Sequence, residues 1–181
     1  GGAKAVVPPN RGHPARLKYK FEEAQQADRD QLARFIETRW GSRVVVVSGK
    51  VYLPAELPAL IARAENGDWL GVLTYAVRPL DWEVITLDSL QPGAGIGSAL
   101  LESVCEYARL SGSRSVRLVS TNDNLNALGF YQKHGFYLRA VRPGAVNDAR
   151  RLKPEIPLTA ENGIEIRDEL ELEREVSTSR A

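Results

Sequence analysis

Two groups of residues in this chain have the types and spacing to do chemistry together. In SLQPGAGIGSALLESV, Gly93, Gly95 and Gly97 stand where a strand ends and an amphipathic helix begins. Glycine there leaves backbone N–H groups unhindered at a helix N-terminus, a favourable seat for a pyrophosphate. Further on, in NDNLNALGFYQKHGF, Asn124, Ala127 and Tyr131 fall at i, i+3 and i+7. That spacing lines up an amide, a small residue and a phenol on one helical stripe. Such a stripe can lie along an extended arm such as pantetheine and hold a proton donor near its sulfur.

Other glycine-loop chemistries fit less well. The dinucleotide-binding fingerprint requires GxGxxG after the first strand of a βαβ unit, whereas here the third glycine position is Leu100 and several strands precede it. A phosphate-binding P-loop needs a Gly-Lys-Ser/Thr ending, which is absent. The pair of motifs resembles the GNAT superfamily of acyl-CoA-dependent N-acyltransferases. The family helix pattern, Asn-x-x-Ala-x-x-x-Tyr-x-x-x-Gly-Phe, is matched in full by Asn124, Ala127, Tyr131, Gly135 and Phe136. Its loop pattern, Arg/Gln-x-x-Gly-x-Gly/Ala, is matched at Gly95 and Gly97, with Pro92 in place of the Arg or Gln and Gln91 one position early. Either Gln91 serves through a shifted loop, or the backbone nest from Gly93 through Ala94, Gly95, Ile96, Gly97 and Ser98 carries the phosphates; the backbone is the favoured reading. The likeness is closest to a largely uncharacterised bacterial group that shares a Trp-Gly-Ser near the start (Trp40, Gly41, Ser42), a stretch like ARRLKPEIP and an end like ENGIEIRDELELE.

The resemblance implies a mixed α/β fold (α+β), with a twisted central sheet carrying helices on both faces. It also implies acetyl-CoA as co-substrate, and direct attack by a primary amine in a ternary complex. The acceptor is a small-molecule or protein amine; a protein N-terminal or lysine acetyltransferase, or a CoA-binding sensor without catalysis, are the alternatives. In the family the site opens where two adjacent parallel strands splay apart, here the Leu87 strand and the 116–120 strand. Leu87 aligns with the family's pantetheine-contacting strand position, and its backbone N–H is the candidate for polarising the thioester carbonyl. Tyr131 aligns with the general acid, and Asn124 and Ala127 with pantetheine contacts. The plain alternatives are packing of Tyr131 between helix and sheet, and Asn124 as an N-cap.

Glu83 is the base suggested by the resemblance, since acidic residues on this strand often deprotonate the amine, sometimes through water. Strict alternation puts Glu83 on the same face as Ile85 and Leu87, and a bulge would break that parity. Pairing with a cation such as Arg78 is its structural alternative. Trp40 is a candidate for the acceptor pocket or for helix packing. His134, three residues past Tyr131, is expected to face solvent or the helix C-terminus. Arg142, Arg150, Arg151 and Lys153 read as a solvated basic stretch, with an acidic acceptor or the coenzyme's 3'-phosphate as the functional alternative, and Asp168, Glu169, Glu171 and Glu173 as either an acidic wall or protection of an edge strand.

The elements that must position these residues follow from periodicity. Leu17, Tyr19 and Phe21 alternate as a strand. Asp28 and Gln31 resemble a capping box before a helix whose apolar face is Leu32, Phe35, Ile36 and Trp40, and Gly41 ends it. Val44–Val47 is a short strand, and 54–58 a loop or broken helix. Asn66-Gly67 between β-rich runs predicts a hairpin of 60–63 with 69–77, and 82–90 feeds the glycine turn. A helix from Ile96 to Ala108, closed by Gly112, is followed by a strand at 116–120, a helix at 125–134 and a strand at 137–141. Alternation over 164–172 predicts the last strand.

At 181 residues the chain suits one domain, 16–175, with an N-terminal arm at 1–15 and a tail at 176–181. Lys plus Arg number 24 against 23 for Asp plus Glu, which gives no field to attract nucleic acid or an anionic membrane. The sole cysteine, Cys105, excludes an intrachain disulfide and reads as a buried thiol. His13 and His134 have no partners at ligand spacing, so no metal is expected. No apolar run approaches the roughly twenty residues of a membrane span, and the expectation is a cytoplasmic protein. The absence of methionine suggests that Gly1 and Gly2 are a cloning scar or that the chain was excised from a longer one. Acyl-chain preference and oligomeric state stay open, with a homodimer among the assemblies to consider.

Overall fold

The computed structural model describes residues 18–177; the N-terminal arm expected at 1–15 and the last four positions lie outside them. Nine strands and four helices follow one another in the order β1 (Tyr19–Glu23), α1 (Arg29–Trp40), β2 (Val45–Val47), β3 (Lys50–Tyr52), β4 (Ala59–Ala64), β5 (Trp69–Val77), β6 (Asp81–Ser89), α2 (Ile96–Leu110), β7 (Ser115–Thr121), α3 (Leu125–Lys133), β8 (Tyr137–Arg142), α4 (Ala145–Leu152) and β9 (Glu169–Glu175). Seven strands form one sheet in the order β1-β4-β5-β6-β7-β9-β8, and β2 and β3 pair as a separate hairpin. Every neighbouring pair in the large sheet is antiparallel except β6 with β7. A parallel pair needs a long crossover, and α2 supplies it.

The sheet is covered on both faces, as the mixed α/β reading expects. Leu32 and Ile36 of α1 pack with Ile61 and Val72 on one side. On the other, Ile96, Leu100, Leu101 and Val104 of α2 pack with Leu60, Leu73, Val84 and Leu118. The alternation of Leu60/Ile61 and Val72/Leu73 between the two clusters is the period-2 signature of strands buried on both faces. Cys105 is buried on α2, where burial pushes its thiol up to about 12.

Three features set up the site. The β6–β7 ladder runs only from Asp81↔Ser115 to Val84↔Leu118, although both strands continue, so they part beyond that point. The β5–β6 register passes from Thr74↔Thr86 to Tyr75↔Val84 and leaves Ile85 as an extra, bulged residue. This bulge overturns the strict alternation expected from the sequence: Val84 and Leu87 both pack on the α2 side, while Ile85 joins Val45 and Val47 of the β2–β3 hairpin on the opposite side. Glu83 and Leu87 therefore do not share a face in the simple way that counting by twos requires. The third feature is Gly71, opposite Ser89. A Cβ there would stand 2.8 Å from the carbonyl oxygen of Asp88 and 2.8 Å from Cγ2 of Ile96, so its absence lets the first turn of α2 close onto β5 and β6.

Other expectations are met or shifted locally. The Asn66-Gly67 hairpin forms, with Gly67 left-handed and Asn66 Oδ1 accepting from the Asp68 N–H at 3.0 Å. The broken helix at 54–58 is a single 3₁₀ turn over Pro54–Glu56. Asp28 does not cap α1 with its side chain; its carboxylate accepts from the Gln25 N–H at 2.8 Å and from Arg63 at 3.3 Å. The last strand begins at Glu169 rather than at Ile164, because the 166–168 backbone is engaged elsewhere: Ile166 N–H donates to Leu158 O, and Asn122 Oδ1 accepts from the N–H groups of Arg167 and Asp168. Nor is β9 an edge. It lies between β7 and β8, where Glu171 and Glu173 meet Arg117, Arg139 and Arg142 of the neighbouring strands. Val176 is buried and, with Ser177, donates its N–H to Arg114 O.

The glycines generate a stability prediction. Replacing Gly71 by Ala forces a methyl into backbone and should destabilise the protein by about 1–3 kcal/mol. Replacing Gly129, inside α3 with no heavy atom within 4 Å of its missing Cβ, should stabilise by roughly 0.5–1 kcal/mol. Denaturant midpoints that move in the same direction for the two variants would contradict the packing described.

Candidate active site

The parting of β6 and β7 opens a cleft of about 520 Å³, and it gathers the Asn124, Ala127 and Tyr131 stripe of the second sequence motif, while the glycine turn of the first is not part of its lining. Leu87 lines it from β6, Val119 and Ser120 from β7, and Asn124, Ala127 and Tyr131 from α3. The i, i+3, i+7 stripe thus faces one cavity, as the spacing requires. Trp40, at the end of α1, lines the same cleft with two-fifths of its surface exposed.

Asn124 is the N-cap of α3, its Oδ1 accepting from the Ala127 N–H at 3.3 Å, so the capping role and the place on the cleft hold together. Tyr131 packs edge-on against Phe130 and Phe136. Its hydroxyl makes no hydrogen bond to protein among the described residues. Burial, with the negative charge of Asp88 adding to it, pushes its pKa up to about 12, so the phenol holds its proton throughout the neutral range.

The glycine turn lies at the start of α2. Gly93 and Gly95 are left-handed, at φ 81° and 78°, and no heavy atom lies within 4 Å of either missing Cβ. Gly95 is the N-cap, after which the first N–H groups of the helix have no partner within it. Ala94 N–H closes the turn onto the Gln91 carbonyl at 3.2 Å. Gln91 therefore shapes the turn through its backbone, while its side chain is exposed together with Pro92. Ile96, expected among the phosphate-binding positions, is instead fully buried, backbone and side chain, because it packs where Gly71 lets α2 close onto the sheet. Ser98 Oγ lies 3.0 Å from His134 Nε2.

That last contact ties the two site helices together. His134 caps the C-terminus of α3, its Nδ1 lies 3.4 Å from Glu102 of α2, and Arg174 bridges the Glu102 carboxylate, at 2.7 Å, and the His134 carbonyl, at 3.2 Å. Of the two expected placements, the helix C-terminus is the one observed, and from there the His134 ring also ties α3 to α2.

The carboxylates are distributed differently from the sequence expectation. Glu83 is buried but is not among the residues lining the cleft. Its Oε2 accepts from Arg78, which also reaches the Tyr52 hydroxyl, while its Oε1 is buried without a partner. The pairing with Arg78 is thus present. Asp88, one residue beyond Leu87, does line the cleft and was not singled out from the sequence. Its Oδ2 accepts from the Trp40 indole N–H at 2.8 Å, and its Oδ1 lies 3.5 Å from Arg39 Nε. Burial raises its pKa above the ordinary aspartate value, against the lowering effects of Trp40 and Arg39. No local pattern could have paired residues 40 and 88. Glu169 also lines the cleft, accepting from the Ser48 N–H at 3.1 Å with Arg142 at 3.7 Å.

The basic stretch after the site is an element in itself. Helix α4 occupies 145–152, with Val146 and Ala149 buried at i, i+3. Arg150 donates to the carbonyls of Ile156, Pro157 and Ile166, and Lys153 to that of Val44 at 2.9 Å. Of the four cations, only Arg151 is largely exposed, beside Asp148.

A sheet split between two parallel strands, with a glycine turn opening the helix that crosses over between them, is the arrangement these residues build. The Acetyltransferase (GNAT) family model matches residues 19–136, and the chain belongs to that family. It is 45% identical to the uncharacterized protein YdhI of Bacillus subtilis (strain 168) over 139 residues, covering 77% of this chain and 87% of that protein. YxbD of the same organism, also uncharacterized, is 40% identical over 151 residues, covering 83% and 95%. Among solved structures, a GNAT family acetyltransferase from Elizabethkingia anophelis with acetyl-CoA bound superposes with a TM-score of 0.62 at 18% identity, over 87% of this chain and 97% of that one. A Bacillus subtilis acetyltransferase in complex with CoA gives 0.61 at 20% identity, over 87% and 99%. At these identities the likeness is one of fold. Among the described residues, no cluster of His, Cys, Asp or Glu could hold a metal ion, and no helix is long and apolar enough to cross a membrane.

Gly97 allows a test of the glycine turn. Its φ is outside the left-handed region, and a Cβ would meet Phe130 and Ser89 at 3.8 and 3.9 Å, ordinary contact distances. A Gly97→Val variant should fold, yet bind acetyl-CoA at least tenfold more weakly, a loss of about 1.4 kcal/mol or more. Unchanged calorimetric affinity in the folded variant would remove this turn from the binding site.

Proposed function

We propose that this protein transfers an acetyl group from acetyl-CoA to a primary amine by direct attack in a ternary complex. The observation that carries the reading is the Tyr131 phenol, protonated and without a protein partner, in the cleft where β6 and β7 part. The residues fit the co-substrate: Gly93 and Gly95 leave backbone open where a pyrophosphate would lie, and Asn124 and Ala127 flank the path toward Tyr131. Acetyl-CoA supplies an activated thioester.

The chain provides the remaining functions. Beyond Val84 the edge of β6 is no longer paired with β7, which frees backbone donors for a developing oxyanion; Leu87 lies in this stretch and is proposed to supply that N–H. The amine nitrogen bonds to the carbonyl carbon, the C–S bond breaks, and Tyr131 passes its proton to the departing thiolate. For the proton lost by the amine we propose Glu83 as the final acceptor, reached from the cleft only through intervening water because Glu83 lies behind the lining with its Oε1 free of any protein partner; solvent exchange restores both groups. No covalent enzyme intermediate is needed. Strand β2 of the hairpin and α4 line what we take as the acceptor end of the cleft, which favours a small molecule over a protein surface.

Tyr131→Phe keeps the ring contacts and removes the proton donor. Acetyl-CoA affinity should barely change, while amine-dependent thiol release falls by about 10² or more. Near-normal kcat under conditions where chemistry limits the rate would exclude Tyr131 as the acid. Glu83→Gln, which keeps an acceptor for Arg78, should also lower kcat by about 10² with little change in acetyl-CoA binding; an unaltered kcat would assign proton removal to another group. Tight acetyl-CoA binding with no acceptor-dependent turnover across polyamines, aminoglycosides, amino acids and peptides would instead define a sensor.

A further inference from the structure

Asp88 and the walls around it have no role in the mechanism above, yet they lie on the same cleft. The Asp88 side chain is only about one-tenth exposed, at 11%. One close donor, the Trp40 indole, fixes its Oδ2, and the nearest cation, Arg39, is 3.5 Å away on a side chain that is 41% exposed. A carboxylate so placed has unused acceptor capacity facing a cavity, and burial strengthens its attraction for a cation. The other charges on the cleft are committed or of the opposite sign. Glu169 accepts from the Ser48 N–H with Arg142 alongside, and Lys153 donates to Val44 O. Lys153 places a positive charge against any second ammonium. Around these groups the cleft is apolar: Val45 and Val47 of β2, Ile85 at the bulge, Val119 of β7, Val146 of α4 and Ile156 all line it.

We propose that the acceptor is an apolar monoamine, whose single ammonium is received by Asp88, held in place by Trp40, and gives up its proton through water before the neutral nitrogen attacks the thioester, and whose hydrocarbon body fills the chamber between the β2–β3 hairpin, Ile85 and α4. This rests on the acetyl-transfer reading and narrows it to a substrate class. One charged head satisfies Asp88, and each buried methylene adds to binding in a chamber that offers a second cation nothing.

The test is a series of initial rates of thiol release with saturating acetyl-CoA. The acceptors are n-alkylamines of increasing length, phenethylamine, phenylalanine, spermidine, an aminoglycoside and a short peptide. In the alkylamine series kcat/KM should rise about fourfold per methylene until the chamber is full, with phenethylamine ahead of spermidine and the aminoglycoside by at least tenfold. Asp88→Asn keeps an acceptor for the Trp40 N–H, and should raise the KM for amine at least tenfold while calorimetric affinity for acetyl-CoA is unchanged. Ala149→Leu should shift the optimum to shorter amines. A rate independent of chain length, a best acceptor among spermidine, aminoglycoside or peptide, or an amine KM unaffected by Asp88→Asn overturns the inference alone and leaves acetyl transfer standing. Preference for phenylalanine over phenethylamine overturns it in favour of carboxylate recognition at Lys153. No release with any amine while acetyl-CoA still binds overturns the acetyl-transfer reading, and this inference with it.

Discussion

The separation of β6 from β7 is the constraint on which the rest of the molecule depends. A parallel ladder that stops at Val84↔Leu118 leaves the facing edges of the two strands without each other as partners, although β6 stays paired with β5 and β7 with β9, and the groups on those edges must find partners or stay accessible to ligand and water. The bulge at Ile85 adds local twist and turns Ile85 toward the β2–β3 hairpin, which then covers that side of the opening. The other side is closed by α3, whose start at Asn124 follows directly from β7. A continuous ladder would bury the same side chains and leave no cleft.

Holding this opening in shape requires several long-range ties. Gly71 lets α2 settle onto β5 and β6, so that the helix N-terminus stands beside the end of β6. Ser98, Glu102, His134 and Arg174 fasten α2 to α3, keeping the glycine turn and the Tyr131 stripe in fixed relation. These contacts are partly exposed, so each is worth little alone; as a network they restrict the sliding of two helices that must address one extended ligand.

Charge serves construction as much as chemistry here. Glu171 and Glu173 on β9 are matched by Arg117, Arg139 and Arg142 across the neighbouring strands, and Arg150 gathers three carbonyls of the segment after α4. Such guanidinium contacts fix an irregular segment that has little regular secondary structure of its own. The groups left for a ligand are correspondingly few: the Tyr131 hydroxyl and Asp88 on the cleft, and the amides of the glycine turn at the start of α2.

The sequence by itself determined what local pattern can encode. The amphipathic stripe of α2, the left-handed glycines before it, the Asn124 cap with Ala127 and Tyr131 on one face, and the Asn66-Gly67 hairpin all follow from residues within one or two turns of each other. The match to the family helix motif carried the fold class with it. Tertiary structure alone decided the rest. Whether Glu83 faces Leu87 depended on one bulged residue, which period-2 counting cannot place. Helix α4 was hidden because its apolar stripe is only Val146 and Ala149 among cations. The acidic run of β9 reads the same on an edge or inside a sheet. Asp88 acquires its meaning from Trp40, forty-eight residues away. A contact of that range is set by how helices and strands pack, because nothing in either residue's own neighbourhood selects the other.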